Sequence, residues 1–372
     1  MTLMAEVGQK AFDLGVPLAV HLDVTYRCNE RCVHCYLDHD DHGEMDTAEI
    51  KSVLDQLAEA GVFFLTLSGG EVFLRRDFFE IVEHARRLLF NVKIKTNAVM
   101  IGTAEAQRLR ALNVDTVQIS LYSHRAEVHD AITKLPHSFE RTVKAVEFLR
   151  DQGLRVTIAN VLMTANLVDQ YGVQKLAAEL GVHYTVDPTI TPMMDGDMSV
   201  LALRIPGEEL AEVFRNPALV PNQDEFCAPP PPPSDEDLEG YSCSAGHSFC
   251  YISPYGDVFP CVQFPLPTGN VRRQTFLDIW NHSPQMNEVR SIQARDLTTC
   301  SSCSHVASCS RCPGLAYMEG NMRGPSTADC EKSFYRTGMP TANMLRQGLA
   351  RPQSAATRSA PLVQIQPVVA LA

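Results

Sequence analysis

The chain has 372 residues, 45% hydrophobic and 20% charged, enough to bury one large core with a smaller domain beside it. Its 44 acidic against 32 basic residues leave a net charge of −12, which argues against nucleic acid or an anionic membrane surface as partner. No apolar run is long enough to span a bilayer, and the N-terminal MTLMAEVGQK lacks the basic region and apolar stretch of a secretory signal, so the cytoplasm is the expected compartment.

Residues 1–17 read as an N-terminal segment too short to be a domain of its own. A first strand is predicted over 18–24 (LAVHLDV), and Cys28, Cys32 and Cys35 follow it at once in CNERCVHC. Asp46 and Glu49 sit as a capping pair before Ile50, Val53, Leu54 and Leu57, an apolar face at helical spacing that Gly61 can close. The second strand is VFFLTL (62–67), ending in Ser68-Gly69-Gly70-Glu71. Asp77 and Glu80 repeat the capping pattern before Ile81, Val82, Ala85 and Leu88. Further strands are predicted over 92–96, 115–122, 154–162 and 182–188. The helices between them begin near Thr103, Ser138 and Asn166, and the last two end near Gly153 and Gly181. Strict alternation of strand and helix implies a parallel sheet covered by helices, either doubly wound or a barrel. In a barrel, chemistry gathers on the loops at the C-terminal ends of the strands. Both the cysteine cluster and Gly-Gly-Glu occupy such loops.

Twelve cysteines without a secretory signal point to metal rather than disulfides. Three lie between 28 and 35, none between 36 and 226, and nine between 227 and 330. The first three offer one thiolate fewer than a closed four-ligand site needs; a [4Fe-4S] cluster so held keeps one iron open to a small molecule. A zinc site completed by His34, His39 or His42 is the competing reading. His21, His124 and His129 read as core or surface histidines.

With Cys-x3-Cys-x2-Cys after one strand and Gly-Gly-Glu after the next, the sequence resembles the radical S-adenosylmethionine (radical SAM) superfamily. The resemblance implies a partial (β/α)6 TIM-like barrel over 18–226. It makes Cys28, Cys32 and Cys35 the ligands of a [4Fe-4S] cluster whose open iron is chelated by SAM. His34 takes the place of an aromatic residue near the adenine, Gly69 and Gly70 let the methionine moiety approach, Glu71 accepts from its ammonium, and Ser120 contacts the ribose or carboxylate. Val72 stands where most relatives have proline, and Lys134 or another cation replaces an arginine near Thr133. The implied chemistry is reductive cleavage of SAM to a 5′-deoxyadenosyl radical that abstracts hydrogen from substrate, with electrons from an external donor such as flavodoxin or ferredoxin.

Residues 227–242, with five consecutive prolines and an acidic run, read as an exposed linker. Beyond it, Pro254-Tyr255-Gly256-Asp257 makes a hairpin turn between two short apolar strands. Cys243, Cys250, Cys261, Cys300, Cys303, Cys309, Cys312 and Cys330 resemble the cysteine-rich SPASM extension of radical SAM enzymes, one spacer shorter between Cys309 and Cys312. A SPASM domain is therefore expected over 243–340, with two auxiliary iron–sulfur clusters of [4Fe-4S] type. Family ligand order assigns one to Cys243, Cys250, Cys261 and Cys312 and the other to Cys300, Cys303, Cys309 and Cys330. A pair of zinc sites is the alternative. Cys227 is left over as a free linker thiol, and 341–372 reads as a disordered tail.

SPASM relatives mostly modify peptides, so the resemblance implies crosslinking, oxidation or epimerisation of a ribosomally made precursor peptide, with a separate leader-binding protein as an expected partner. The aspartate of sulfatase-maturing relatives is replaced here by Val262, which disfavours that subtype. A tetrapyrrole side-chain enzyme is the other enzymatic alternative, and a non-enzymatic zinc protein the third.

Overall fold

The computed structural model describes residues 3–217, 220 and 222–349. All six expected strands form, as β1 (Ala19–Thr25), β2 (Phe64–Gly69), β3 (Asn91–Thr96), β4 (Thr116–Ser120), β5 (Arg155–Val161) and β6 (His183–Asp187). They pair in parallel, each beside its sequence neighbour. Helices α1 (Leu3–Asp13), α2 (Thr47–Glu59), α3 (Phe78–Arg87), α4 (Thr103–Ala111), α5 (Ala126–Thr133), α6 (Ser138–Asp151) and α7 (Gln170–Leu180) alternate with them. The Asp46–Glu49 capping box opens α2, and Gly181 closes α7 in the left-handed conformation at φ 68°. Asp77 caps nothing: Arg75 and Thr47 take its carboxylate, so the second expected capping pair is corrected. The short helix α5 was not foreseen, because it falls inside a stretch without helical caps.

Alternation within each strand decides which face is which. Val20, Leu22 and Val24 of β1, Leu65 and Leu67 of β2, Val92 and Ile94 of β3, and Val117 and Ile119 of β4 are buried in the main core under the helices. Their neighbours, among them His21, Asp23, Thr66, Lys93, Lys95 and Gln118, face the opposite, concave side. The lumen is thus polar, unlike the branched apolar filling of a closed eight-stranded barrel. It is also open, since β6 is an edge strand.

After α8 (Gly207–Phe214) and α9 (Gln223–Phe226) the proline run is exposed, and Ser234 caps a short α10 (Asp235–Glu239) within the expected linker. The hairpin that follows does not build a sheet of its own. Its first strand β7 (Phe249–Ile252) pairs in parallel with β1, while β8 (Asp257–Phe259) and β9 (Gly269–Asn270) continue antiparallel. The result is one nine-stranded sheet ordered β6-β5-β4-β3-β2-β1-β7-β8-β9. The rest is helical: α11 (Phe276–His282), α12 (Pro284–Ser291), α13 (Pro313–Met318), α14 (Thr327–Thr337) and α15 (Ala342–Arg346). Helix α15 lies in the expected tail and is folded, with Ala342 N–H donating to Cys303 Sγ at 3.4 Å; residues 350–372 lie outside the described residues.

Candidate active site and cysteine clusters

The loop carrying Cys28, Cys32 and Cys35 is fixed on both sides. Arg31 and Val33 N–H groups donate to the carbonyls of Thr133 and Ile132 at the end of α5, at 2.9 and 3.0 Å. Asn97, just past β3, donates to Asn29 Oδ1 at 2.7 Å. The three thiols are close enough that each charge would raise its neighbours' pKa. Burial pushes the Cys28 thiol up to about 12 and raises Cys35 as well. Such thiols ionise on a metal, not on their own. Lys134, one candidate for the expected cation near Thr133, is exposed at the left-handed cap of α5.

Gly69 and Gly70 have a cause the sequence did not reveal. A Cβ on Gly69, at φ 135°, would lie 2.0 Å from the Thr25 carbonyl oxygen, and one on Gly70 would lie 2.3 Å from that of Arg27. The Gly70 and Glu71 N–H groups donate to those same carbonyls at 2.8 and 2.9 Å. The glycines let the two strand-end loops lie against each other, which sets the entry to the cysteine loop.

Glu71 is wholly buried. Its oxygens accept from Phe73 N–H at 3.0 Å, Thr96 Oγ1 at 2.8 Å and Asn97 N–H at 2.9 Å. Burial raises its pKa against these hydrogen bonds. This carboxylate ties the end of β2 to the end of β3.

His34 and Ser120 meet through a residue the sequence reading passed over, Tyr122. The His34 ring stands edge-on to Tyr122 at 4.8 Å, and Ser120 hydrogen-bonds the Tyr122 side chain. Burial pulls the His34 imidazole down to about 4, so it is neutral, and its Nδ1 has no partner among the described residues.

The lumen beside this loop holds a chain of polar groups that sequence reading missed. His21 Nε2 and Asp23 Oδ1 are 3.0 Å apart, Tyr251 donates to Asp23 Oδ2 at 2.9 Å, and the Tyr251 and Tyr26 hydroxyls share a hydrogen bond. Period-two alternation in HLDVTY marks His21 and Asp23 as one face, but pairing with Tyr251 required the unforeseen β1–β7 contact. Next to them, half-buried Tyr36 lies within electrostatic reach of both Cys35 and Cys261.

The eight C-terminal cysteines gather in two groups. Cys261 is near Cys243, Cys250 and Cys312. Cys312 caps α13, accepting from Leu315 N–H at 3.5 Å, while its own N–H donates to Asp329 at 2.8 Å. Cys300, Cys303, Cys309 and Cys330 lie near one another and line a cavity of about 380 Å³. Ser333 donates to Cys309 Sγ at 3.4 Å. Burial pushes Cys300 and Cys312 up to about 11 and Cys330 to about 12. Cys227 joins neither group; it is half-buried with its thiol 3.5 Å from the Phe214 carbonyl. Among the described residues no three His, Cys, Asp or Glu gather tightly enough to hold a single ion, as zinc ligands do at about 2.0–2.3 Å. Groups of four thiols, one of them lining a roomy cavity, suit iron–sulfur clusters.

Comparison with known proteins agrees. The Radical SAM superfamily profile matches residues 22–170, and that of the SPASM iron–sulfur cluster-binding domain matches 243–313. The chain is 31% identical over 308 residues to the mycofactocin maturase MftC of Mycobacterium tuberculosis, covering 80% of this chain and 78% of that protein. It is 29% identical over 329 residues to an AdoMet-dependent heme synthase of Methanosarcina barkeri, covering 82% of this chain and 93% of that protein. Its fold matches Streptococcus suis SuiB bound to precursor peptide SuiA, with TM-score 0.69 at 18% identity, over 87% of this chain and 78% of that one.

Proposed function

The chain belongs to the radical SAM superfamily and carries its SPASM extension, and from that premise we propose that it modifies a ribosomally made precursor peptide in the cytoplasm, drawing electrons from a flavodoxin or ferredoxin. The bound SAM and its [4Fe-4S] cluster supply a 5′-deoxyadenosyl radical for hydrogen abstraction, and auxiliary clusters supply a route for electrons. In this reading Cys28, Cys32 and Cys35 hold the first cluster. Cys243, Cys250, Cys261 and Cys312 hold one auxiliary cluster, and Cys300, Cys303, Cys309 and Cys330 the other. Neutral His34 and Tyr122 form an apolar flank for the adenine, Ser120 offers a hydroxyl, and Glu71 is a positioning residue that fixes the two loop ends.

The observation that carries the reading is Tyr36, half-buried and within electrostatic reach of both Cys35 and Cys261. A substrate in the lumen beside it has the initiating cysteines on one side and an auxiliary set on the other. The open edge at β6, with His183, Thr185 and Asp187 exposed, admits an extended chain from the side. The relationship to MftC supports a peptide, and that to the heme synthases supports a tetrapyrrole as the second reading.

The test is anaerobic incubation of the reconstituted protein with SAM, a reductant and the short peptide encoded beside its gene. A mass change in the peptide with matching 5′-deoxyadenosine is expected; an unaltered peptide alongside conversion of a propionate-bearing porphyrin would reverse the order of the two readings.

A further inference from the structure

Strand β3 presents two lysines to the lumen. Val92 and Ile94 are buried under the helices, so alternation turns Lys93 and Lys95 to the concave side. The register sets Lys93 beside Thr66 of β2 and Lys95 beside Gln118 of β4. Lys95 is half-buried and within electrostatic reach of Asp23 on β1, Asp187 on β6, and Cys261. Those groups lie on opposite walls, so the ammonium stands well inside the lumen.

Nothing compensates this charge at close range. Among the described residues no hydrogen bond or ion pair reaches Nζ of either lysine, and burial lowers the pKa of both. Asp23 is already committed, Oδ1 to His21 and Oδ2 to Tyr251. Asp187 accepts from Thr189 N–H at 2.8 Å and is exposed. Two ammonium groups side by side on a concave, half-buried wall attract an opposite charge more strongly than they would in open water. The partner that suits them is an anion delivered to the lumen.

We infer that Lys95, with Lys93 behind it, is the seat for a carboxylate of the substrate, an inference that rests on the lumen being the substrate site proposed above. A phosphate suits the place poorly. Asp23, Asp187 and Cys261 already surround the lysine, and neither an arginine fork nor a nest of backbone N–H groups is aimed at it. The carboxylate of SAM is a poorer match too, because the cysteine near Lys95 is Cys261 and none of Cys28, Cys32 and Cys35. A peptide can bring its C-terminus or an acidic side chain; a tetrapyrrole can bring a propionate. The shared chemistry is a single negative charge accepting from an ammonium, with Gln118 on the adjacent strand as a neutral donor.

The experiment measures binding to the SAM-loaded, cluster-reconstituted protein by fluorescence anisotropy or calorimetry. The probes are the peptide of the neighbouring gene as free acid, as C-terminal amide, and with Asp and Glu changed to Asn and Gln, together with a propionate-bearing porphyrin and its methyl ester. One neutralised form is expected to bind at least about tenfold more weakly than its acid, about 1.4 kcal/mol. K95M is expected to lose that discrimination and K95R to keep it. A difference confined to the porphyrin pair would leave the seat standing and overturn the peptide reading. Equal binding of acid and neutral forms to the wild-type protein, with the peptide still turned over, would overturn the seat and leave the peptide reading standing. Undiminished discrimination in K95M, or a fall in its SAM affinity by the same factor, would also overturn the seat.

Discussion

Gly70 shows how much a single missing methyl group decides. Its ideal Cβ would sit 2.3 Å from the Arg27 carbonyl oxygen and 2.5 Å from that of Tyr26, both backbone atoms in the strand-to-cysteine turn. Overpacking against backbone cannot be relieved by a rotamer change and costs typically about 1–3 kcal/mol or more. Gly70→Ala is therefore expected to lower the Tm and the iron content of the first cluster. Gly153→Ala, at φ 73° but with nothing within 4 Å, should cost only the roughly 1 kcal/mol of a strained backbone. Equal melting shifts for the two variants would contradict this account of the Gly-Gly pair. The motif was legible in sequence, but its physical cause was not, because the colliding atoms lie more than forty positions upstream. Glu71 is similar. Its presence at the strand end was readable, whereas its partners Thr96 and Asn97 emerge only when β2 and β3 are paired. Tyr122 and Lys95 carried no motif at all, and only strand register gives them a place.

At the scale of elements, local signals worked where they were local. The capping box of α2, the left-handed Gly181 after α7 and the period-two strands were all readable, since each depends on neighbours a few residues away. The pairing of β7 with β1 was not, as it joins residues some 230 positions apart. Helix α1 is anchored to the C-terminal region in the same nonlocal way. The Phe12 ring stacks on His247 at 4.3 Å and meets Tyr241 edge-on at 5.5 Å, while Trp280 Nε1 donates to the Gly15 carbonyl at 2.6 Å. Burial, with Arg290 nearby, pulls His247 from 6.5 down to about 4. Because the folded state holds the neutral ring, its contribution is complete above pH 6.5 and is lost as pH falls towards 4. His247→Phe, which keeps the stack without the titration, should thus lose less Tm than wild type between pH 7 and pH 5. Parallel Tm curves for the two proteins would remove His247 from this role.

The whole molecule reads as one sheet that carries the first cysteine loop and the C-terminal hairpin alike. Because β7, β8 and β9 extend the barrel's own sheet, the C-terminal hairpin is fixed to β1 rather than hung on a linker. The strands that lead to the Cys35 loop and to Cys261 thus belong to one sheet, and Tyr36 is within electrostatic reach of both thiols. Composition foretold a large core and a metal-bearing C-terminal region, and strand–helix alternation foretold the barrel. That the two share a sheet was beyond a reading by segments. The central claim is that Cys28, Cys32 and Cys35 hold the SAM-cleaving cluster while the other eight grouped cysteines hold two more. It is tested most directly by measuring iron and 5′-deoxyadenosine together, in the reconstituted wild-type protein and in one with Cys28, Cys32 and Cys35 all changed to alanine. The account predicts roughly twelve irons falling to roughly eight, with SAM cleavage abolished. Continued 5′-deoxyadenosine formation by the variant, or a wild-type protein that takes up zinc and no iron, would contradict it.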